Sequence, residues 1–292
     1  MRRIAESELI INGDGSVFHL HILPEDLAGT VILVGDQNRV PAVAQHFDKG
    51  SITCDKASRE FHTITGKYHG KAITVMSTGI GTDNIDIVMN ELDALVNIDF
   101  TTREQKAGHK ALNILRIGTC GCVRPDIPLG GFVLSEVGIG IDGLLNWYEG
   151  GPDISDHGME KAFMKHMGWD KRLATPYCVW SSKEILDKFP GCARGITMSA
   201  PGFYGPQGRS VRMGLTIPDF IPKLEQFEYK GARMTNIEME NSAIVGISNL
   251  LGHHAATICC AIANRFRLES IPDYKPYIEK LIVYALDSLT AE

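Results

Sequence analysis

Short apolar runs, often rich in β-branched residues, alternate with segments of helical periodicity from residue 30 to the end of the chain. The runs end in glycine-rich breaks and predict buried strands at residues 30–34, 72–77, 114–117, 131–137, 195–198 and 256–263. The segments between them predict helices at residues 40–47, 85–96, 242–251 and 275–289. Such alternation is typical of a layered α/β fold whose helices cover a mostly parallel sheet.

Composition limits the class of protein further. The 292 residues are 44% hydrophobic and 22% charged, which suits one or at most two globular units. A net charge of −6 provides no excess positive field, so a nucleic acid partner is not expected. No apolar stretch approaches the roughly 18 residues of a membrane span, and the start, MRRIAESELIING, lacks the apolar core of a signal peptide. We therefore expect a soluble, cytoplasmic protein with no membrane partner.

Seven cysteines occupy positions 54, 120, 122, 178, 192, 259 and 260. Their odd number and the absence of a CxxC spacing favour reduced thiols over a disulfide framework. Cys120 and Cys122 leave two interpretations open: a redox or metal pair, or small buried packing residues, which are favoured. Two irregular stretches, residues 99–110 and 146–192, are expected to be surface elaborations with some helical structure; no role is assigned to the second.

Three predicted strands lead into turns that suit an anion. Residues 31–39 form a strand, a turn at Gly35 and a helix start, with Arg39 placed to pair with phosphate; an ordinary turn is the alternative. Residues 77–82 repeat this design without the third glycine of a dinucleotide fingerprint, which argues against a nicotinamide cofactor. Arg116 lies in an apolar run and needs either a carboxylate or a bound anion as partner. Parallel strands end at one edge of a sheet, so these turns should open on one site.

A glycine-rich loop at residues 202–209 carries Phe203, Gln207 and Arg209. These side chains supply an aromatic face, an amide that donates and accepts hydrogen bonds, and a guanidinium, which together can stack on a nucleobase and recognise its polar edge. A surface turn with packed aromatic residues is the alternative.

Two further segments carry polar groups suited to a nucleoside. Glu238, Met239 and Glu240 offer two carboxylates for vicinal hydroxyls and an apolar surface for a sugar ring; acidic residues that merely favour a helix start are the alternative. Asn264 and Arg265 end the most hydrophobic strand and offer an amide and a cation, either to a base or simply to solvent.

The segments follow the order strand-G-D-x-x-R, S-T-G-I-G, L-R-I-G-T-x-G, F-Y-x-x-Q-G-R, E-M-E and strand-N-R, within a span from Phe18 to the C-terminal helix. In this order they resemble the nucleoside phosphorylase family, and within it the members that cleave uridine. The resemblance implies one domain over residues 1–292, with residues 1–16 as an N-terminal extension. It implies a three-layer α/β/α fold with a central mixed, mostly parallel sheet. The implied reaction is the reversible conversion of uridine and phosphate to uracil and ribose 1-phosphate.

The resemblance also assigns site residues by motif. Phosphate would be held by Gly35, Arg39, Arg116 and Thr119, joined by Arg59 of a neighbouring subunit. Ribose would be held by Glu238, Met239 and Glu240, with His19 reaching across a dimer to the 5′ hydroxyl. Uracil would be held by Phe203, Gln207 and Arg209. The groups expected to act in catalysis are Gln207, Arg209, Glu240 and Arg265. A site shared in this way implies a homodimer at least, and a hexamer built from dimers is the alternative.

No cofactor is expected besides phosphate as co-substrate. A monovalent cation, potassium, is the one ion that the resemblance allows, at Glu60, Ile80 and Asn84, where Asn84 replaces a serine of the bacterial members. Gln37 replaces the usual proline of the phosphate turn, which should loosen the turn without removing its donors.

Asn264 stands where purine-cleaving members carry an aspartate that protonates the base, and an amide cannot act as that acid. This favours a pyrimidine nucleoside. The alternatives are a purine nucleoside phosphorylase, a nucleosidase that uses water, and a noncatalytic nucleoside-binding protein. Three arginines suited to phosphate argue against hydrolysis.

Overall fold

The computed structural model describes residues 3–291, in which strands and helices alternate along the chain. The strands are β1 (Thr30–Val34), β2 (Cys54–Ser58), β3 (Phe61–Tyr68), β4 (Lys71–Ser77), β5 (Ile98–Asp99), β6 (Glu104–Gln105), β7 (Asn113–Cys122), β8 (Phe132–Gly140), β9 (Tyr177–Trp180), β10 (Ala193–Ser199), β11 (Glu228–Tyr229), β12 (Ala232–Glu238), β13 (His254–Asn264) and β14 (Glu269–Ser270). The α-helices are α1 (Arg39–Ala44), α2 (Thr82–Asn97), α3 (His157–Met167), α4 (Lys183–Leu186), α5 (Phe220–Gln226), α6 (Asn241–Leu251) and α7 (Lys275–Thr290). Short 3₁₀ helices lie at Pro24–Asp26, Leu144–Trp147, Pro152–Ile154 and Gly205–Gln207.

The predicted strands and helices are all confirmed, with differences at their ends. The largest difference is in β7, which continues past the predicted end at residue 117 to Cys122, because its glycine-rich half pairs along β13. Among strands of four or more residues, the sequence pattern missed β2, β3, β9 and β12, and it also missed the two-residue strands β5, β6, β11 and β14. In β12 the buried positions include Thr235 and Asn236, so polar residues hide a strand that is in fact interior.

One mixed sheet runs through both halves of the chain, in the order β11-β12-β10-β8-β13-β7-β1-β4-β3-β2. Its two longest pairings, β7 with β13 and β8 with β10, are parallel. An additional antiparallel pairing of β12 with β7 joins Ile237 to Gly121 and closes part of the sheet on itself. That closure brings the carboxyl end of β12 against the strand that carries Arg116.

Helices cover both faces of the sheet, as the alternation of side chains along β1 shows. Val31 and Leu33 face a core formed with α2 and α6, whereas Ile32 and Val34 face a core formed with α1 and α7. All four side chains are fully buried, as expected of a parallel strand covered on both sides. The predicted three-layer α/β/α arrangement is therefore confirmed.

The two irregular stretches differ from each other. Residues 99–110 are mostly exposed, as expected, and are not helical. In residues 146–192 the expected helical structure is present. The prediction that this stretch lies on the surface is wrong for α3 and β9. Met159, Phe163 and Cys178 are fully buried and form a third core with β8 and β10. The predicted surface position failed because the apolar faces of α3 and β9 are too short to show a clear period.

The N-terminal segment packs on residues 99–110. Ile4 N–H donates to the carbonyl of Arg103 at 2.8 Å, and the Arg103 side chain donates to the carbonyls of Ile4, Ala5 and Leu9. Residues 1 and 2 of the predicted 1–16 extension lie outside the described residues.

Within residues 3–291, no helix combines the length and apolar content that crossing a membrane would require. All seven cysteines are unpaired, and six are buried. Hydrogen bonds with the thiols of Cys122 and Cys259, together with burial, raise the pKa of the Cys120 thiol. A thiol held protonated is a poor nucleophile and metal ligand, which supports the packing interpretation of Cys120 and Cys122.

Candidate active site

A cavity of about 650 Å³ opens at the carboxyl ends of the central strands. Its volume suits a small molecule, and its position is where open α/β sheets bind ligands. It is lined by Gly35, Asp36, Gln37, Asn38, Arg39, Gly79, Ile80, Arg116, Thr119, Cys120, Gly121, Phe203, Gln207, Arg209, Ile237, Glu238, Met239, Glu240, Ile262, Ala263 and Tyr274. The structure thus brings together the predicted residues of β1, β7, β12 and the 202–209 loop.

Two arginines line this cavity, one from a helix and one, Arg116, from β7. Arg39, at the start of α1, is mostly buried, and burial followed by the positive charge of Arg116 lowers its pKa. Its Nη1 donates to the carbonyl of Ile117 at 3.2 Å, but no carboxylate pairs with it within the described residues. The buried Nε of Arg116 likewise has no protein acceptor there. Two neighbouring cations with unused donors form a site suited to an anion.

Gly118 explains how Arg116 fits into an apolar strand. A Cβ at Gly118 would lie 2.1 Å from Nη1 of Arg116, so glycine leaves the room in which the guanidinium folds over the strand. There Arg116 Nη2 forms an ion pair with Glu240, and Nη1 lies 3.3 Å from Glu238 Oε2. Burial alone would lower the pKa of Arg116, but Glu240 and Glu238 together raise it.

The two carboxylates have different partners. Glu238 accepts hydrogen bonds from the Ser199 hydroxyl at 2.5 Å and from the N–H groups of Glu240 and Asn241. Glu240 accepts one from Gly81 N–H at 2.8 Å and pairs with Arg116. Burial raises the pKa of Glu240 to about 7 against the opposing charge of Arg116. Glu238 is thus anchored by the protein, and Glu240 is the carboxylate more available to a ligand.

The predicted base loop is folded into a preformed group of side chains. The guanidinium of Arg209 lies 3.8 Å from the centre of the half-exposed Phe203 ring and donates to Gln207 Oε1 at 2.5 Å. Because that oxygen already accepts a hydrogen bond, the Gln207 amide offers its nitrogen to a ligand. Burial, and after it the charge of Arg265, lowers the pKa of Arg209 to about 10.

Asn264 and Arg265 lie behind the cavity wall and do not line it. Arg265 donates from Nη1 to the carbonyl of Gln207 at 3.0 Å and from Nη2 to that of Gly208 at 3.4 Å. Asn264 is buried; its Nδ2 donates to the carbonyls of residues 124 and 127, and its Oδ1 accepts from the N–H groups of residues 266 and 267. Arg265 therefore touches the loop that carries Gln207, and the Asn264 amide is saturated by the protein.

Two other predicted residues also lie outside the cavity lining, on a single patch. Arg59 sits in the β2–β3 turn, with its guanidinium carbon 5.4 Å from the centre of the Phe18 ring. Phe18 makes an edge contact with His19 at 4.8 Å, and His19 Nδ1 lies 2.5 Å from Glu91 Oε1. Both residues were assigned to a neighbour's site; neither lines the cavity of this chain, and the assignment stays a prediction.

The predicted cation ligands cluster around Gly79. A Cβ at Gly79 would lie 2.4 Å from the Asn84 amide nitrogen and 3.3 Å from Glu60 Cγ, and Ile80 follows in the chain. A carboxylate, an amide and a backbone carbonyl offer the oxygen donors that hard cations prefer, but the Asn84 atom nearest Gly79 is the amide nitrogen, and the potassium site stays a prediction.

Asp93, His109 and His253 also approach one another closely enough to hold a metal ion. The Leu112 N–H donates to His253 Nδ1 at 3.1 Å, so neutral His253 carries its proton on Nε2, which lies 3.3 Å from Asp93 Oδ1. A protonated nitrogen cannot ligate a metal, and the arrangement is better explained as a buried histidine–carboxylate pair.

Several lining residues carried no usable signal in the sequence. Tyr274 precedes α7 and reaches the cavity from the far end of the chain. Ile262 and Cys120 were assigned only to strands or packing. Periodicity identifies a strand but does not show which of its side chains faces a cavity formed by other strands.

Comparison with known proteins agrees with this geometry. The sequence profile described as the phosphorylase superfamily matches residues 30–271. A uridine phosphorylase of Thermococcus kodakarensis is 29% identical over 254 residues, which cover 86% of this chain and 79% of that protein. A DeoD-type purine nucleoside phosphorylase of Thermoanaerobacter is 32% identical, but over only 40% of this chain and 44% of its own length. The crystal structure of a Trypanosoma brucei nucleoside phosphorylase that shows uridine phosphorylase activity superimposes with a TM-score of 0.87 at 29% identity, covering 97% of this chain and all of that one.

Proposed function

The chain belongs to the phosphorylase superfamily, and from that premise we propose that it catalyses the reversible phosphorolysis of uridine to uracil and ribose 1-phosphate. The observation that carries the proposal is the pair Arg39 and Arg116, a mostly buried and a buried guanidinium that line one cavity. Within the described residues Arg39 has no carboxylate partner, and the Nε of Arg116 has no acceptor. The same cavity holds a carboxylate pair and a base-binding loop, so an anion bound there would lie beside a nucleoside. The whole-chain similarity to uridine phosphorylases supports the choice of base.

The site residues have the following roles in this proposal. Phosphate binds to Gly35, Arg39, Arg116 and Thr119, with Arg59 of a second copy. Ribose binds to Glu238, Met239 and Glu240, with His19 of the second copy at the 5′ hydroxyl. Uracil stacks on Phe203 and is bound by Gln207 and Arg209.

Phosphate is the nucleophile in this reaction. Held beside the anomeric carbon, it attacks as the glycosidic bond lengthens, and its charge stabilises the oxocarbenium-like centre. Uracil leaves with negative charge on its oxygens and ring nitrogen. Arg209, whose guanidinium is already in contact with Gln207, stabilises that charge directly. Arg265 acts as a positioning residue, because its hydrogen bonds go to the backbone of the loop that carries Gln207.

The saturated Asn264 amide favours a pyrimidine over a purine. It is buried and has no free donor or acceptor to offer a purine ring, and it has no proton to transfer. We infer that base specificity depends on the loop residues and on the absence of an acid at the end of β13.

The active form in this proposal is a homodimer in the cytoplasm. Its support is the patch formed by Phe18, His19 and Arg59, which presents two site residues away from their own cavity, and the exposed Ile80 at the mouth. Seven unpaired cysteines suit a reducing compartment. A potassium ion at Glu60, Ile80 and Asn84 would neutralise the carboxylate of Glu60, near the boundary between the subunits.

Base release from uridine, thymidine and inosine, with and without phosphate, tests the function. We expect uracil release from uridine that requires phosphate. Phosphate-independent release would indicate a nucleosidase, release from inosine alone a purine enzyme, and binding without any release a nucleoside-binding protein.

A mixture of two impaired variants tests the shared site. Arg59→Leu damages the site of the partner subunit, and Arg209→Ala damages the site of its own. Because random pairing gives half heterodimers with one intact site each, co-refolded variants should recover about a quarter of wild-type activity. No recovery would refute a site shared between copies.

A further inference from the structure

The side-chain amide of Gln37 joins the phosphate turn to the hairpin turn that carries Arg59. Its Nε2 donates a hydrogen bond of 2.6 Å to the backbone carbonyl of Arg59, 22 residues further along the chain. Arg59 has a φ of 54°, in the left-handed region that residues other than glycine disfavour. The amide of Gln37 therefore holds a backbone conformation that Arg59 would not otherwise prefer.

The Arg59 side chain leaves this turn toward the patch outside the cavity. Its guanidinium lies over Phe18, whose edge meets His19, and His19 is fixed in turn by Glu91. The direction of the guanidinium thus depends on a backbone fixed by Gln37 at one end and on an aromatic contact at the other. A change in φ at Arg59 would swing the guanidinium by several ångströms, because the side chain is long.

We propose that Gln37 is a positioning residue, which sets Arg59 for the phosphate bound in the neighbouring copy. The inference rests on the proposed function, since it requires a phosphate site shared between two copies. Gln37 also lines the cavity of its own copy. The same side chain therefore borders the site of its own copy and holds the backbone of Arg59, which would contact phosphate in the neighbouring copy.

The first test is Gln37→Leu, which removes the amide donor at an exposed position and leaves the core intact. We expect KM for phosphate to rise about tenfold, the equivalent of about 1.4 kcal/mol, with a smaller change in kcat and in KM for uridine. The matched control is Gln45→Leu, because the Gln45 amide also donates, to Glu279 at 3.3 Å, but lies away from the cavity. This control should leave all three constants unchanged. Equal constants for Gln37→Leu and the wild type would overturn the proposal.

The second test separates positioning of Arg59 from direct contact of Gln37 with phosphate. Heterodimers of a Gln37→Leu copy and an Arg209→Ala copy, isolated through two different affinity tags, keep one working cavity. That cavity lacks its own Gln37 but receives Arg59 of the partner subunit, where Gln37 is intact. Positioning predicts a wild-type KM for phosphate, whereas a raised KM would show direct contact and overturn the proposal.

The reverse pairing completes the test. Here a wild-type copy is paired with a copy that carries both Gln37→Leu and Arg209→Ala. The working cavity belongs to the wild-type copy and has its own Gln37. The Arg59 that it receives comes from the double variant and has lost the hydrogen bond from Gln37. Positioning predicts the raised KM here, and a wild-type KM would refute it. If the wild-type protein shows no phosphate-dependent cleavage at all, the proposed function fails. A failure of the positioning role leaves wild-type activity intact, so the two outcomes are distinct.

Discussion

The guanidinium of Arg116 and the carboxylate of Glu240 form an ion pair inside the cavity, with 6% and 4% of their side-chain surfaces exposed. Arg116 belongs to the strand that continues into Thr119, a residue of the proposed phosphate site, and Glu240 follows the strand that carries Glu238. The pair thus links the two halves of the chain where phosphate and ribose would meet.

Replacement of the cation should destabilise the protein. Arg116→Met leaves Glu238 and Glu240 as neighbouring buried carboxylates without their cation, which should cost about 3–5 kcal/mol in the free energy of unfolding. Urea denaturation measures this. The control is Arg172→Met, which breaks an exposed pair with Asp170 and should leave the midpoint nearly unchanged. Equal changes in the free energy of unfolding for the two substitutions would contradict the conclusion that the buried pair stabilises the fold more than the exposed one.

The raised pKa of Glu240 predicts a pH dependence of stability. Its folded-state pKa of about 7 exceeds the ordinary value of 4.5, so the folded protein holds the proton more tightly than the unfolded chain. The stabilisation is fully present below pH 4.5 and is lost as pH rises through about 7. Wild-type protein should therefore lose stability relative to Glu240→Gln, which cannot titrate, in urea unfolding series over that range. If the free energies of unfolding of the two proteins change in parallel with pH, Glu240 does not titrate between pH 4.5 and 7.

Loss of the loop anchor should lower turnover without unfolding the protein. Arg265→Ala removes both hydrogen bonds to the 207–208 backbone, and misplacement of the base-binding groups by about 1 Å can cost about 10²-fold in rate. We expect kcat to fall by that order while the thermal midpoint changes little. Arg267→Ala is the control, because this exposed arginine donates to the carbonyl of Pro125 and not to the loop. Near-normal turnover of Arg265→Ala would refute the anchoring role.

An acid at position 264 should not create purine activity. In Asn264→Asp the two donated hydrogen bonds to carbonyl oxygens are lost and a buried carboxylate faces them, at a cost of about 1–3 kcal/mol for each unsatisfied group. The side chain points away from the cavity, so inosine should remain uncleaved. Asn249→Asp, at an exposed amide that donates to Trp180, is the stability control. Inosine cleavage by Asn264→Asp would show that residue 264 reaches the base.

Local pattern predicts the parts of the site that are local in the chain. β1, Gly35 and Arg39 are consecutive, and a strand, a turn and a helix start suffice to place them at the sheet edge. Glu238, Glu240 and the loop at residues 202–209 were predictable as candidate site residues for the same reason. The turns after β1, β4 and β7 converge because these strands are parallel and end at one edge. The carboxylates at the end of β12 instead reach them through the antiparallel pairing of β12 with β7, which the sequence does not show.

The features that the sequence did not reveal depend on contacts between distant residues. The Gln37 amide reaches the Arg59 backbone, and Arg265 reaches a loop 58 residues earlier in the chain. Neither partner can be deduced from residue type, because the acceptors are backbone carbonyls. Burial of α3 and β9 likewise depends on β8 and β10, which supply the surfaces that cover them.

The fate of inorganic phosphate tests the central claim most directly. With uridine, phosphate and enzyme, ³¹P NMR should show inorganic phosphate converted to ribose 1-phosphate in amounts equal to the uracil released. Release of uracil with free ribose and an unchanged phosphate signal would contradict phosphorolysis.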